Sequence, residues 1–283
     1  MALFTVDPSN GSDLYSDLVG AGSPSSGDDL EITRGWNEYT AGLTFTANNW
    51  GDVLVGQGFR GKIGAAGNAW ELQANTSGKS VFVLGGRQVF LSCAGSTIAR
   101  LVVDMADPTA LVNLSGSSGG TMGVVHLGRG AIEVADSIPT LSTVYVEAGG
   151  RPKIRGSSGA SAMGDLIVRA GGVADLERDC NTFTVDGGAM LTITDELVAP
   201  ADDCVVSGTL RVREFGGMAA TKGFTLNEGA VLDLSDLVTA MDLVNLTLGD
   251  NCRVIQRHGG PGYAVSGTTT TRGRGALVEY VTR

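Results

Sequence analysis

The sequence predicts an all-β fold, a single-stranded parallel β-helix solenoid of about 21 residues per rung, and three observations predict it. The first is a repeat in which an apolar strand runs into a small-residue turn, returning from Val81 to Gly249. Its copies are Val83-Leu-Gly-Gly86, Val103-Asp-Met-Ala106, Val125-His-Leu-Gly128, Val146-Glu-Ala-Gly149, Val168-Arg-Ala-Gly171, Val185-Asp-Gly-Gly188, Val206-Ser-Gly208, Leu226-Asn-Glu-Gly229 and Leu246-Thr-Leu-Gly249. Counted on Gly85, Ala106, Gly128, Gly149, Gly171, Gly187, Gly208, Gly229 and Gly249, the turn-to-turn spacings are 21, 22, 21, 22, 16, 21, 21 and 20 residues. The second is alternation: short apolar segments such as Ala131-Ile-Glu-Val134, Met190-Leu-Thr-Ile193 and Ala230-Val-Leu-Asp-Leu234 carry large aliphatic residues two apart around a polar one, the period of a strand and not of a helix. The third is glycine, 43 residues of it, which sharp corners demand because they need positive φ or a backbone clear of Cβ.

One rung therefore reads as strand, glycine turn, strand and variable loop. Each strand pairs with its copy one rung along at about 4.8 Å, so nine rungs predict a stack of roughly 40–45 Å. Antiparallel sandwiches and barrels also contain glycine-rich alternating segments, but without this regular spacing.

Ahead of the repeat, Gly11 to Gly20 places Leu14, Leu18 and Val19 at helical spacing behind Ser12 and Asp13, and predicts a short amphipathic capping helix. Two alternating strands follow, Gly27–Gly35 and Tyr39–Ala47. Over residues 12–47 this opening resembles that of right-handed parallel β-helix proteins of the pectin-lyase-like class, where a capping helix leads into the first rung. The resemblance implies a fold and nothing more. A cap is needed because an open solenoid end exposes apolar side chains and unpaired strand edges.

The expected organisation is an N-terminal arm, capping helix and first rung over 1–50, the β-helix over 51–258, and a C-terminal arm or cap strand over 259–283, with Leu277 and Val281 on alternate positions of a strand. No charged or proline-rich linker interrupts the chain, and 42% apolar but only 6% aromatic content suits a narrow lumen filled by Val, Leu, Ile and Ala. No apolar stretch reaches the roughly 20 residues of a membrane-spanning helix, and residues 1–20 lack a signal-peptide pattern, so cytoplasmic synthesis is expected.

Chemistry-bearing residues are sparse. Cys93, Cys180, Cys204 and Cys252 fall at different phases of the repeat and form no CxxC pair, so they read as small buried thiols. His126 and His258 are the only histidines, too few for an ordinary zinc site. The position after the inward strand residue reads Asp104, His126, Glu147, Arg169, Asp186, Ser207, Asn227 and Thr247, a mixed-sign series that suits cross-strand pairing. The densest acidic group, Asp195, Glu196, Asp202 and Asp203, lies by an irregular rung; as a catalytic pair or Ca²⁺ site it competes with a plain solvated loop. Trp36, Trp50 and Trp70 precede the regular repeat and serve packing or, alternatively, sugar stacking. No nucleophile motif or phosphate loop is found, so no catalytic, cofactor or metal residue is assigned. A net charge of −10 disfavours nucleic acid, although Arg253, Arg257, His258, Arg272, Arg274 and Arg283 make the C-terminal region basic.

Compact, Gly/Ser/Thr-rich β-helices without a signal peptide resemble virion proteins of tailed bacteriophages, and at this length most nearly a capsid decoration or cement protein. That resemblance is by class and carries over no residue. It implies a non-enzymatic structural protein on the capsid exterior, made in the host cytoplasm. The implied partners are the major capsid protein or another virion protein and further copies of the chain, a trimer being one such assembly, with no nucleic acid, membrane or cofactor. The polar segments Asp7–Ser12 and Gly267–Gly275 are then expected attachment arms. A tailspike-like protein that binds or cleaves host polysaccharide is the alternative, and a secreted adhesin a third reading that lacks its signal.

Overall fold

The computed structural model describes residues 2–6, 12–20, 27–41, 43, 50–72, 75–93, 97–116, 120–135, 137–138, 140–156, 163–195, 198–217, 222–272, 274 and 277–282. They form an all-β parallel solenoid with turns of about 22 residues, and the chain divides into two compact units, 1–142 and 143–283.

In the first unit, one sheet stacks Leu3–Val6, Asp29–Gly35, Val53–Phe59, Asn75–Val83, Thr97–Val103 and Thr121–Leu127 in parallel. The other stacks Glu38–Tyr39, Lys62–Ile63, Gln88–Cys93, Leu111–Gly116 and Ala131–Val134. Alternation sends Leu30, Ile32, Val53, Val55, Val81, Val83, Leu101, Val103, Val125 and Leu127 inward from the first sheet, all 3% exposed or less. Tyr39, Ile63, Val89, Leu91, Val112, Leu114, Ile132 and Val134 do the same from the second. The long excursion between Val53 and Val81 carries a short strand, Trp70–Glu71, laid parallel on Leu91 and Ser92. Gln88–Cys93 is buried at five successive positions and not at alternate ones, and Gly64 packs closely against Phe90 on the outward side.

In the second unit, one sheet stacks the strand ending at Val146, then Met163–Val168, Cys180–Val185, Cys204–Val206, Gly223–Leu226, Asn245–Leu248 and Thr269–Thr271. The other runs Lys153–Ile154, Val173–Leu176, Met190–Ile193, Thr209–Val212, Val231–Leu234, Arg253–Arg257 and Leu277–Val281. A third pairing joins Met241–Leu243 to Tyr263–Val265. One corner repeats rung after rung. Gly150, Gly172, Ala189 and Ala230 each donate a backbone hydrogen bond to the carbonyl three residues back, at 2.9, 2.8, 3.0 and 3.0 Å. The residue before each donor is a glycine with φ of 80, 81, 79 and 72°. These are the marks of a type II turn, whose third position only glycine occupies without strain. Asn251, at the same corner, takes φ 54°, which asparagine tolerates better than other side chains.

Three expectations are corrected. Residues 12–20 do not form a capping helix: Leu14–Asp17 is a turn, and Leu18–Val19 is a strand antiparallel to Thr5 and Val6. Asp13 does cap, its Oδ1 accepting the Ser16 amide at 3.0 Å, but the turn stops there because Leu14 is drawn wholly into the core. The repeat alignment slips by two at Val125 and Leu246: the register partners of Val103 and Leu226 are Leu127 and Leu248. A two-residue slip leaves every side chain on its own face, so alternation alone cannot detect it. Gly267–Gly275 contains no free arm over its described residues, because Thr269–Thr271 is a sheet strand. Of the other expected arm, Asp7–Gly11 lies outside the described residues, as do Thr44–Ala47 of the second predicted strand.

Candidate functional site

The outer faces are built from side chains that reach one rung along. Asp104 accepts the Arg129 guanidinium at 2.8 and 2.9 Å, which holds its carboxyl below the usual carboxylate range. Arg169 pairs with Glu147 at 3.1 Å and lies 4.6 Å over the Tyr145 ring. Lys153 meets Glu177 at 2.8 Å, Arg211 meets Asp233 at 3.0 Å, and Arg253 meets both oxygens of Glu279 at 2.8 and 2.7 Å. Asn227 Nδ2 donates to Ser207 Oγ at 2.9 Å. The predicted mixed-sign column is thus a ladder of cross-rung pairs for Glu147–Arg169 and Ser207–Asn227. The partner of Asp104 is Arg129, while His126 sits beside Val102 in the register.

A second device satisfies strand starts. Asp29 Oδ1 accepts the Asp52 amide at 2.8 Å, and Asp52 Oδ1 accepts the Ser80 amide at 2.8 Å. In the second unit Asp203 Oδ1 accepts the Gly223 amide at 2.6 Å, and Asn245 Oδ1 accepts the Thr268 amide at 3.0 Å. The Asp52, Gly223 and Thr268 amides stand at or just before the first residue of a strand, where a loop enters the sheet, and the Ser80 amide stands where Asn75–Val83 begins to pair with Val53–Phe59.

This places the acidic group by the irregular rung. Asp202 accepts Lys222 Nζ at 2.8 Å, and that ammonium lowers its pKa; Asp203 is the strand-start acceptor just described. Asp195 is described, and Glu196 is not. Among the described residues no group of three or more His, Cys, Asp or Glu side chains is arranged to hold a metal ion.

Cys93, Cys180, Cys204 and Cys252 are all free and buried, as the phase argument expects. Burial pushes the Cys93 thiol up to about 11 and Cys204 up to about 12. Trp50 and Trp70 pack inside, Trp50 edge-on to Phe4 at 5.9 Å, whereas Trp36 is 78% exposed. The three tryptophans therefore form no common patch.

Several concavities open among the described residues, one of about 370 Å³ lined by Thr225, Asn227, Glu228, Thr247, Asp250 and Arg272. A groove of about 720 Å³ in the second unit is lined by the third strand pairing and neighbouring loops, with Ala199, Gly216, Val244 and Ala264 on its walls and Asp242 as its carboxylate. Sequence reasoning missed it, because its walls come from the variable loops that the repeat leaves unspecified. A smaller groove of about 340 Å³ in the first unit mixes Leu3, Leu54 and Phe82 with Asp29, Glu31 and Asp52.

No helix among the described residues is long and apolar enough to cross a membrane. No protein-family model matches the chain, and neither does any curated protein or solved structure. What the fold itself defines is a class, the parallel β-solenoids.

Proposed function

We propose that the protein is a non-enzymatic structural protein of a virus particle, binding the outer capsid surface of a tailed bacteriophage as a decoration or cement protein. The observation that carries this reading is how the surface side chains are used. Arg129, Arg169, Arg211, Arg253, Lys153 and Lys222 each pair with an acid on another rung, and Asp29, Asp52, Asp203 and Asn245 accept backbone amides of the next rung. Such a surface suits a protein whose work is to remain folded and present faces to neighbours. The test is quantitative mass spectrometry of purified particles. A ratio to the major capsid subunit near one, or a simple fraction of it, supports a lattice-bound protein; absence from particles overturns the reading.

The groove at Asp242 favours a second reading, a tailspike-like protein that binds or cleaves a surface polysaccharide. A handful of copies per particle, with glycan binding lost in Asp242→Asn, would support it over the first.

A further inference from the structure

The first rung of the first unit and the last rung of the second carry opposite kinds of surface. Nine large apolar side chains are exposed among the described residues, and seven of them lie in these two places: Leu3, Tyr15, Val19 and Trp36 in one, Leu277, Val278 and Tyr280 in the other. Exposed apolar side chains scattered singly need no explanation, but such segregation to two terminal rungs does. Both places also end in strand edges. Leu18–Val19 and Glu38–Tyr39 are the outermost strands of the two sheets at the first rung, and Thr269–Thr271 and Leu277–Val281 are outermost at the last.

Charge then selects the partner. Residues 1–52 contain eight acidic side chains and one basic, Arg34, with Asp17 and Asp28 buried and Glu38 paired with Arg87, whereas residues 253–283 contain five arginines and one acid, Glu279. Glu279 is engaged by Arg253, while Arg257, His258, Arg272 and Arg274 are all exposed. Two last rungs facing each other would oppose arginine to arginine, and two first rungs carboxylate to carboxylate. A last rung on a first rung joins opposite charges, two apolar clusters and unpaired edges at once.

We propose that copies of this chain associate head to tail, the last-rung face (Arg272, Arg274, Leu277, Val278, Tyr280) of one copy seating on the acidic first-rung face (Tyr15, Val19, Trp36) of the next. The occupant is a second copy of this chain, and the proposal is independent of where the protein acts. Because each copy carries one face of each kind, the contact is heterologous, the kind that builds closed rings or open chains in place of an isologous dimer.

The experiment is sedimentation velocity on the full chain, from about 1 to about 200 µM and at about 50 and about 500 mM salt. The expected result is a weight-average sedimentation coefficient that rises with concentration without a dimer plateau, and an affinity about tenfold weaker at the higher salt. Two variants fix the geometry. Val278→Asp/Tyr280→Asp removes the tail face and Val19→Asp/Trp36→Asp removes the head face. Each alone should be monomeric, and their equimolar mixture should give a dimer and nothing larger. A monomeric wild-type chain throughout, or a dimer formed by either variant alone, overturns the proposal. Circular dichroism checks that each variant folds. Should one not fold, Arg272→Glu/Arg274→Glu, which alters only exposed side chains, must weaken association at least about tenfold or the proposal fails.

Discussion

The two terminal rungs solve one physical problem in opposite ways. At the first rung, Phe4 and Val6 point inward from Leu3–Val6 and are 1% and 7% exposed, because residues 12–20 fold over them. Leu14 is fully buried, its amide donates to the Ala41 carbonyl at 3.0 Å, and Gly20 lies so close to the Phe4 ring that a Cβ there would overlap it. Beneath the turn, Asp17 Oδ2 accepts the Tyr39 hydroxyl at 3.2 Å. At the last rung nothing comparable exists among the described residues. The inward positions Thr269, Thr271, Val278 and Tyr280 are all exposed, although Leu246 and Val254 one rung below are buried. The first rung is closed by its own chain, and the last presents its interior side chains to whatever binds there. A solenoid's repeat specifies its middle, while each terminal rung needs chemistry of its own.

The largest expected effect breaks the closed rung. Leu14→Ala should destabilise the protein by about 2–5 kcal/mol, the usual result of emptying a buried leucine site. Val278→Ala, at the open rung, should stay within about 0.5 kcal/mol, because an exposed side chain has little burial to lose. Urea unfolding midpoints at a protein concentration low enough to suppress association measure both. Equal costs would mean that the two rungs are closed alike. The same contrast should appear locally in amide exchange. Amides of Thr269–Thr271 and Leu277–Val281 should exchange at least about 100-fold faster than those of Asp29–Gly35, since a terminal rung without cover opens without unfolding the rest.

The thiols sharpen the comparison at single-residue resolution. Cys252 lies directly beneath the last rung, where its carbonyl accepts the Leu277 amide at 2.9 Å, whereas Cys93, Cys180 and Cys204 lie among paired rungs. Burial raises the pKa of all four thiols, and thiolate is the reactive form, so labelling at pH 8 follows local opening: a thiol reagent should label Cys252 first and the other three only on global unfolding. Peptide mapping after timed labelling reads the order. Uniform labelling of all four would show that the last rung is no looser than the middle.

How much of this was legible beforehand follows from what a repeat encodes. Alternation of Val, Leu and Ile against polar residues, with glycine at fixed corners, gave the solenoid and its inward faces, and Cys phases gave buried thiols. The slip of two at Val125 and Leu246 was invisible because positions i and i+2 share a face. The helix over 11–20 was misread because Leu14, Leu18 and Val19 fit helical spacing, yet a single buried leucine and an edge strand suffice to close the rung. Leu3–Val6 went unread as a strand although Phe4 and Val6 alternate with Leu3 and Thr5, since four residues carry little periodicity. The Asp242 groove is framed by a strand pairing that stands outside the aligned repeat, and the acceptors Asp29, Asp52, Asp203 and Asn245 stand at or just before the first position of a strand, where the inward alternation does not constrain identity.

The smallest expected effect concerns acid. Glu279 is held below the usual carboxylate pKa chiefly by its hydrogen bonds from Arg253. A carboxyl whose folded pKa is lowered adds stability above its unfolded pKa, near 4, and loses that contribution as pH falls through the folded value. Both partners are exposed, so the gain is slight for the whole molecule, but it acts on the rung with the least other support. Amide exchange over Leu277–Val281 should therefore accelerate, after correction for intrinsic chemistry, as pH drops from about 5 to about 3, while exchange over Leu3–Val6 changes little. In Glu279→Gln the last rung should exchange faster at pH 5 and lose most of that pH dependence. An unchanged profile would mean that Arg253 and Glu279 do not hold the last rung down, leaving its backbone pairing with Arg253–Arg257 as the attachment.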